Sequence, residues 1–425
     1  MTSAITIFFV LLLIGTPIAL VMVMSGLGGA MQLGGVNFLG IIADRMLSGV
    51  SGYLLMAVPY FIFTAELMNQ AGLTERLIAF NNALLGRVRG ALSHVNIAVS
   101  LFFSGLTGAA ITDTVAVGKI MIPAMKREGY TPAYAAAVTA CSSIIGPIIP
   151  PSVVMVVYAS ILPNISVLEL FAAGIVPGFL MTAALLVASG IMAWWCGFPR
   201  HGDSSLKAAA RAFLPTVPAL LVPFIILGGI LGGFSTVTEA SAFAAVYTIL
   251  LGFFLYRSLT WKKLWRSLVT TVQFSGVVFF LLAASTVLGW FVTRSGIARD
   301  AASMIAAVSD DPTMQILLVN LLLILLGMVL DVLPALVVVA PVLVPAMIQL
   351  GFDPLHFAIV MILALNLANI TPPVGMTLMT ASQIAGVAYE KAIAASVPFY
   401  LSHLAVIVII SLWPGVILWL PALFD

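Results

Sequence analysis

The sequence predicts an all-α polytopic membrane protein made of two related halves, each with one re-entrant helical hairpin and one broken helix. Three observations predict it. The 425 residues are 62% hydrophobic and only 8% charged, with mean hydropathy +1.20, whereas soluble domains carry about 25% charged residues. Two stretches inside apolar runs hold double prolines, CSSIIGPIIPPS at 141–152 and LALNLANITPPVG at 363–375. The chain also matches itself when shifted by 222 residues.

A span takes about 20 apolar residues, and roughly eleven or twelve runs qualify. They include 4–26, 50–69, 167–196, 212–234, 237–256, 268–293, 313–330 and 396–422. Backbone in lipid must satisfy its own hydrogen bonds. Helices do so locally, and these runs lack the alternation of barrel strands. The N-terminus, MTSAITIFFVLLLIG, has no basic segment and no A-x-A cleavage site, so it reads as a retained first span. The net charge of +2 makes no case for nucleic acid as a partner. Cys141 and Cys196 are the only cysteines and suggest neither a disulfide framework nor a metal site. The longest polar stretch, near 199–211, reads as a loop between spans.

The repeat is specific. Pro123-Ala124-Met125 falls on Pro345-Ala346-Met347, Gly129 on Gly351, Pro132 on Pro354, and Pro150-Pro151 on Pro372-Pro373. Eleven of the 36 positions between 117 and 152 match without a gap. Cytoplasmic loops are enriched in Lys and Arg. Arg87, Arg89, Lys126 and Arg127 flank the first half's central segment, while their counterparts at 309–311 and 348–350 contain no basic residue. Equivalent loops are therefore expected on opposite faces, as in an inverted-topology repeat, a common plan of secondary transporters. Two other clusters also read as cytoplasmic: Arg200, Lys207 and Arg211, then Arg257, Lys262, Lys263 and Arg266. The latter interleaves Trp261 and Trp265 and suits the lipid interface.

Proline removes a backbone donor and clashes with the preceding turn. The double prolines Pro150, Pro151, Pro372 and Pro373 therefore break two helices and free carbonyls at mid-membrane, which is tolerated only inside protein or beside a wet cavity. Freed carbonyls suit hard cations such as Na⁺, and half-helix N-termini suit anions. Each break follows another irregular segment. The first is Ser104-Gly105-Leu106-Thr107-Gly108, then Thr112-Asp113-Thr114; the second is GMVLDVLP, from Gly327 to Pro334. Both read as hairpin tips with arms of about ten to fifteen residues, too short to span. Asp113 and Asp331 are ionisable groups in apolar surroundings and count as functional candidates. A helix cap is the plainer reading of Asp113, and Asp331 has no basic partner nearby in sequence.

The run SGLTGAAITDTVAVGKIMIPAMKREGYTPAYAAAVTACSSIIGPIIPPS, with NITPPVG in the second half, closely resembles the large membrane subunit of TRAP (tripartite ATP-independent periplasmic) transporters. The likeness covers essentially the whole chain. A weaker likeness is to divalent-anion/Na⁺ symporters, which share the two-hairpin plan. The resemblance implies an ion-transporter-like, elevator-type fold. It implies scaffold segments at 1–90 and 197–312, and transport-domain halves at 91–196 and 313–425. The first half would hold a tip at 104–114 and a broken helix at 134–161, the second a tip at 327–334 and a broken helix at 356–385. It further implies Na⁺-driven import of a small organic anion, typically a carboxylate, across the bacterial inner membrane without ATP. The partners implied are a small membrane subunit, expected as a separate chain, and a periplasmic substrate-binding protein that hands over the anion. By the same resemblance, one Na⁺ site would use Ser104, Gly105, Ser142, Ser143, Gly146 and Pro147. A second would use Gly327, Asp331, Asn366, Ala368 and Thr371. Substrate would lie near Thr107, Ser152 and Asn369. The family usually has serines where this chain has Thr107 and Ala109, and Ala109 offers no hydroxyl.

Other residues weigh differently. Glu66, inside an apolar run, could serve a site, pair with a distant arginine or meet a lipid headgroup. Thr236 and Glu239 read as a capping box. His94, His201, His356 and His403 do not cluster in sequence, and Lys119 is expected to snorkel. Gly49-Val50-Ser51-Gly52 matches the G-x-S-G of rhomboid proteases, but no histidine is placed to activate the serine. An enzyme is therefore disfavoured, and a channel would not need a paired, substrate-sized site. The strongest rival is a Na⁺/dicarboxylate-type symporter that works without a binding protein.

Overall fold

The structure is a computed structural model that describes residues 2–34, 39–85, 88–107, 109–162, 165–198 and 211–424; at 2–3, 33–34, 39, 74 and 104–107 it describes backbone alone. Arg87, Gly108, Arg200, His201 and Lys207, and with them most of the 199–211 loop, lie outside the described residues. All regular structure among the described residues is helical.

The run 4–26, expected as one span, folds as two helices, α1 (Thr2–Leu13) and α2 (Ile18–Gly34). Gly15 takes φ +83°, which glycine adopts without a Cβ penalty, and Pro17 follows. The two helices then fold back on each other, so that Ile7 Cδ1 lies 2.5 Å from where a Cβ on Gly28 would sit. Next come α3 (Leu39–Val50), a 3₁₀ turn at Tyr53–Met56, and α4 (Ala57–Gln70), the two limbs bent by 55°. The helix α5 (Leu73–Leu85) leads to the first hairpin. Among the described residues, five helices are long and apolar enough to span, or seven if two bent pairs count as single spans. The eleven or twelve apolar runs overstate this because turns and prolines cut several of them.

The first hairpin is α6 (Ala91–Thr107) and α7 (Ala110–Arg127). The first broken helix is α8 (Pro132–Ser143) and α9 (Val153–Ile161), followed by α10 (Val167–Trp195). Then come α11 (Val217–Leu231), α12 (Val237–Leu250), the 35-residue α13 (Trp261–Ser295) and α14 (Ile297–Val308). The second half runs α15 (Pro312–Gly327), α16 (Val332–Gln349), α17 (Pro354–Ala368), α18 (Met376–Ala385) and α19 (Tyr389–Leu412).

The 222-residue shift carries Ala110–Arg127 onto Val332–Gln349 at both ends, Pro132 onto Pro354, and Val167 onto Tyr389. The caps repeat too. Thr131 Oγ1 accepts from Tyr134 N (3.3 Å) and Asp353 Oδ1 from His356 N (2.7 Å), each cap followed by proline at the first helical position. Gly129 and Gly351 turn the chain at φ +87° and +90°. Both Pro–Pro bonds, Pro150–Pro151 and Pro372–Pro373, are cis.

The halves exchange helices. The hairpin α6/α7 packs on α8 of its own half and on α18 of the other; α15 and α16 pack on α17, and α16 also packs on α9 of the first half. Lys126 Nζ donates to Ala385 O (3.0 Å) and His403 Nε2 to Cys141 O (2.9 Å), tying the halves across more than 250 residues of sequence. The hairpin arms are 16 to 18 residues long, longer than expected, so length does not make them re-entrant. Both tips end beside the breaks of helices α8/α9 and α17/α18.

Candidate functional site

The two tips and two breaks meet at one cavity of about 140 Å³. Ala109–Thr112, Pro147, Val154, Asp331–Leu333 and Asn369 line it, with Phe274 of α13 against them. Three helices begin there. Ala110 opens α7, Val153 opens α9 and Val332 opens α16. The first turn of a helix presents unpaired N–H groups and the positive end of the dipole. No basic side chain is among its lining residues and Asp331 is the one charged residue there, so backbone N–H groups at the helix starts, chiefly that of α7, whose cap Ala109 has no side-chain acceptor, are what can meet an anion.

At the first break, Ser142 and Ser143 are fully buried. Their hydroxyls donate to Thr139 O (3.1 and 2.8 Å), and Ser142 Oγ also lies 2.9 Å from Ser100 Oγ and 3.4 Å from Asn96 Oδ1. Asn96, in turn, donates to Thr139 Oγ1 (2.7 Å). In the sequence Asn96, Ser100 and Thr139 look like ordinary polar residues of apolar helices, and no motif marks them. Ser152 caps α9 by accepting from Met155 N and donates its hydroxyl to Pro147 O, which closes the break from within. The side chains of Ser104 and Thr107, with Gly105, belong to the segment described by backbone alone.

Asp113 is not the helix cap; Ala109 holds that position, and Asp113 sits one turn inside α7, fully buried. Its carboxylate lies against Gly146. A Cβ there would come 2.3 Å from Asp113 Oδ2 and 3.1 Å from Ser143 O. Two oxygens thus flank a space that any side chain would fill, an arrangement that suits a small hard cation. Asp113 joins the serine hydroxyls as a candidate at this break, since each hydroxyl donates its proton to Thr139 O and keeps oxygen lone pairs for a cation.

At the second break, Asp331 caps α16. Its Oδ1 accepts from Val332 N (2.8 Å) and from Asn369 Nδ2 (3.0 Å). The acid that lacks a sequence neighbour is therefore offset by a helix N-terminus and an amide 38 residues away. Gly327 packs tightly on α17, where its Cβ would meet Ala368 Cβ at 2.6 Å. Thr371 Oγ1 donates to Leu367 O, and Asn366 Nδ2 to Ile362 O, both at 2.8 Å. Asn366 Oδ1 is buried with no hydrogen-bond partner among the described residues. An orphaned amide oxygen beside a broken helix fits a cation ligand.

A smaller cavity of about 60 Å³ adjoins the first and shares Ala109, Thr112 and Phe274; Glu66, Asn69 and Thr270 complete its polar side. Glu66 Oε1 accepts from Gln70 Nε2 (2.9 Å), so this acid faces the cleft region and not an arginine. Glu239 is a capping residue. It accepts from Thr236 N (2.8 Å) while its own N–H donates to Thr236 Oγ1 (3.2 Å). Ser51 donates to Ser48 O, within its own turn.

A model of the family described as "Tripartite ATP-independent periplasmic transporter, DctM component" matches residues 5–416. The chain belongs to this family. It is the large membrane subunit of a transporter, not an enzyme. The chain is similar to the sialic acid TRAP transporter large permease protein SiaM of Vibrio cholerae, at 37% identity over 92% of this chain and 90% of that one. It is similar to the C4-dicarboxylate TRAP transporter large permease protein DctM of Pseudomonas aeruginosa at 33% identity, covering 89% of each. With the sialic acid TRAP transporter permease protein SiaT of Haemophilus influenzae it shares 34% identity over 91% of this chain and 63% of that protein. The large subunit also shares its fold with the YdaH transporter of Alcanivorax borkumensis (TM-score 0.65, 16% identity, 90% of this chain and 89% of the other).

Proposed function

We propose that this large membrane subunit imports a small organic anion of the carboxylate class, received from a periplasmic substrate-binding protein and driven by an inward Na⁺ gradient. The observation that carries this reading is the cavity at which the tips and breaks meet. The helix starts of α7 and α9 favour an anion there, while the oxygens of buried Asp113 and Asn366 and of half-buried Asp331 favour cations on either side of it. Cations held next to the anion offset its charge and make its occupancy depend on theirs. The wider relationship supports a small membrane subunit as a second partner and the bacterial inner membrane as the location. The exchanged packing of the two halves supports their moving together as one unit, in the elevator manner, along α13.

Reconstitution tests the proposal. Proteoliposomes holding the large and small subunits should accumulate radiolabelled sialic acid or succinate only with the cognate binding protein outside and Na⁺ directed inward. Uptake that persists when choline or K⁺ replaces Na⁺ at constant pH would sink the Na⁺ coupling. Equal uptake without the binding protein would make this a self-sufficient Na⁺/dicarboxylate-type symporter.

A further inference from the structure

A third cavity, of about 370 Å³, lies farther along α13. Arg45 and Ser48 of α3 form one wall, Thr286 and Thr293 of α13 another, and Pro341 of α16 with Leu162 beyond α9 the third. From Phe274 at the tip cavity to Thr286 and Thr293 is 12 to 19 residues of α13, or about 18–28 Å at 1.5 Å per residue. Lys262, Lys263 and Arg266 lie at the opposite end of that helix. With Arg257 they make four basic residues at that end against Arg294 and Arg299 at the other, so by the enrichment of basic residues on cytoplasmic faces the larger cavity is placed on the non-cytoplasmic side. The helices α9 and α16 wall both cavities, since their first turns line the tip cavity and Pro341 and the residue after α9 line this one.

Arg45 is anchored at its base and unoccupied at its end. Its carbonyl accepts from Ser48 Oγ (2.9 Å) and Thr286 Oγ1 (2.7 Å), which pins α3 to α13. Gly49 permits that approach, for a Cβ there would lie 2.7 Å from the Thr286 side chain. The guanidinium makes no hydrogen bond or ion pair among the described residues, and no acidic side chain lines the cavity. Thr293 Oγ1 donates to Gly289 O, so with Ser48 and Thr286 the cavity's hydroxyl protons are already used. Arg45 is the one basic residue among those that line the cavity, and its guanidinium donors have no partner among the described residues.

We propose that the Arg45 cavity is an anion-binding transit site, where the carboxylate of the substrate rests between the binding protein and the tip cavity. The transit role rests on the import reading above; the anion site does not. One exposed arginine attracts an anion and gives it up again, as a transit site must, and it acts mainly on the rate and salt dependence of capture.

The test labels a reporter cysteine, Ser48→Cys, in a Cys196→Ser background, with an anionic reagent (2-sulfonatoethyl methanethiosulfonate) and its cationic trimethylammonium counterpart. Relative to their rates with a free thiol, the anionic reagent should be favoured about fivefold or more at low salt. Arg45→Gln should abolish that preference and Arg45→Lys should keep it. A preference that survives Arg45→Gln, or one for the cation, overturns the anion site. If Ser48→Cys does not fold, Thr293→Cys takes its place. In proteoliposomes fed sialic acid or succinate, whichever the unsubstituted protein accumulates, Arg45→Gln should raise KM about tenfold with kcat unchanged and flatten the salt dependence. Unchanged KM overturns the transit role. Absence of uptake by the unsubstituted protein counts against the import reading, while the labelling result stands by itself.

Discussion

Gly146→Ala puts the first break under the most direct strain. The new Cβ would lie 2.3 Å from Asp113 Oδ2, 3.4 Å from its Cγ and 3.1 Å from Ser143 O. Comfortable contact begins near 3.5 Å, so the carboxylate must retreat by about 1 Å. Asp113 is fully buried, and overpacking of this kind costs about 1–3 kcal/mol. Metal–oxygen distances hold to about 0.2 Å, so a retreat of that size forfeits the oxygen as a cation ligand. Loss of one such ligand should weaken apparent Na⁺ affinity about 10–100-fold, or about 1.4–2.8 kcal/mol. The assay is initial uptake against Na⁺ concentration in proteoliposomes, read beside Tm in detergent. Gly228→Ala is the control, because nothing lies within 4 Å of its added Cβ. Asp113→Asn combined with Gly146→Ala should cost far less than the sum of the two single changes, since both act on one carboxylate. A folded Gly146→Ala protein with an unshifted Na⁺ curve would refute the placement of a cation there.

Asp331→Asn should keep the α16 cap, because asparagine caps as well as aspartate; Tm should hold while Na⁺-coupled uptake falls at least about tenfold, and normal Na⁺ dependence would make the acid structural. Thr236→Ala removes one hydroxyl from a capping box and should lower stability by about 1 kcal/mol without moving the Na⁺ curve; a moved curve would give Glu239 a role at the site. Gly375→Ala meets both a left-handed φ of +48° and Tyr389 Oη at 2.7 Å from the new Cβ, so it should destabilise the second break by about 1–3 kcal/mol. A Tm equal to that of the unsubstituted protein would show that the break relaxes freely.

What the chain alone determined is what local chemistry dictates. Apolar length and scarce charge require helices in lipid, and Pro147 and Pro372 stop α8 at Ser143 and α17 at Ala368, each four residues back, by removing the N–H that would continue the ladder. The repeat could be read because proline, glycine and cap residues act on their own turn: Thr131 and Asp353 cap in register, and Gly129 and Gly351 turn alike. The Thr236–Glu239 box is equally local. The tertiary structure alone decided which helices exchange between halves, that Asp113 meets Gly146, and that Asn369 donates to Asp331. It also decided that the first apolar run doubles back and that Arg45 faces a cavity. These facts depend on which face of each helix turns inward. In water a polar stripe marks the outer face. Here nearly every face is apolar, lipid is as apolar as the protein interior, and close packing of small residues selects the partner. Gly327 on Ala368 and Gly49 on Thr286 are such selections, and no periodicity in the chain announces them.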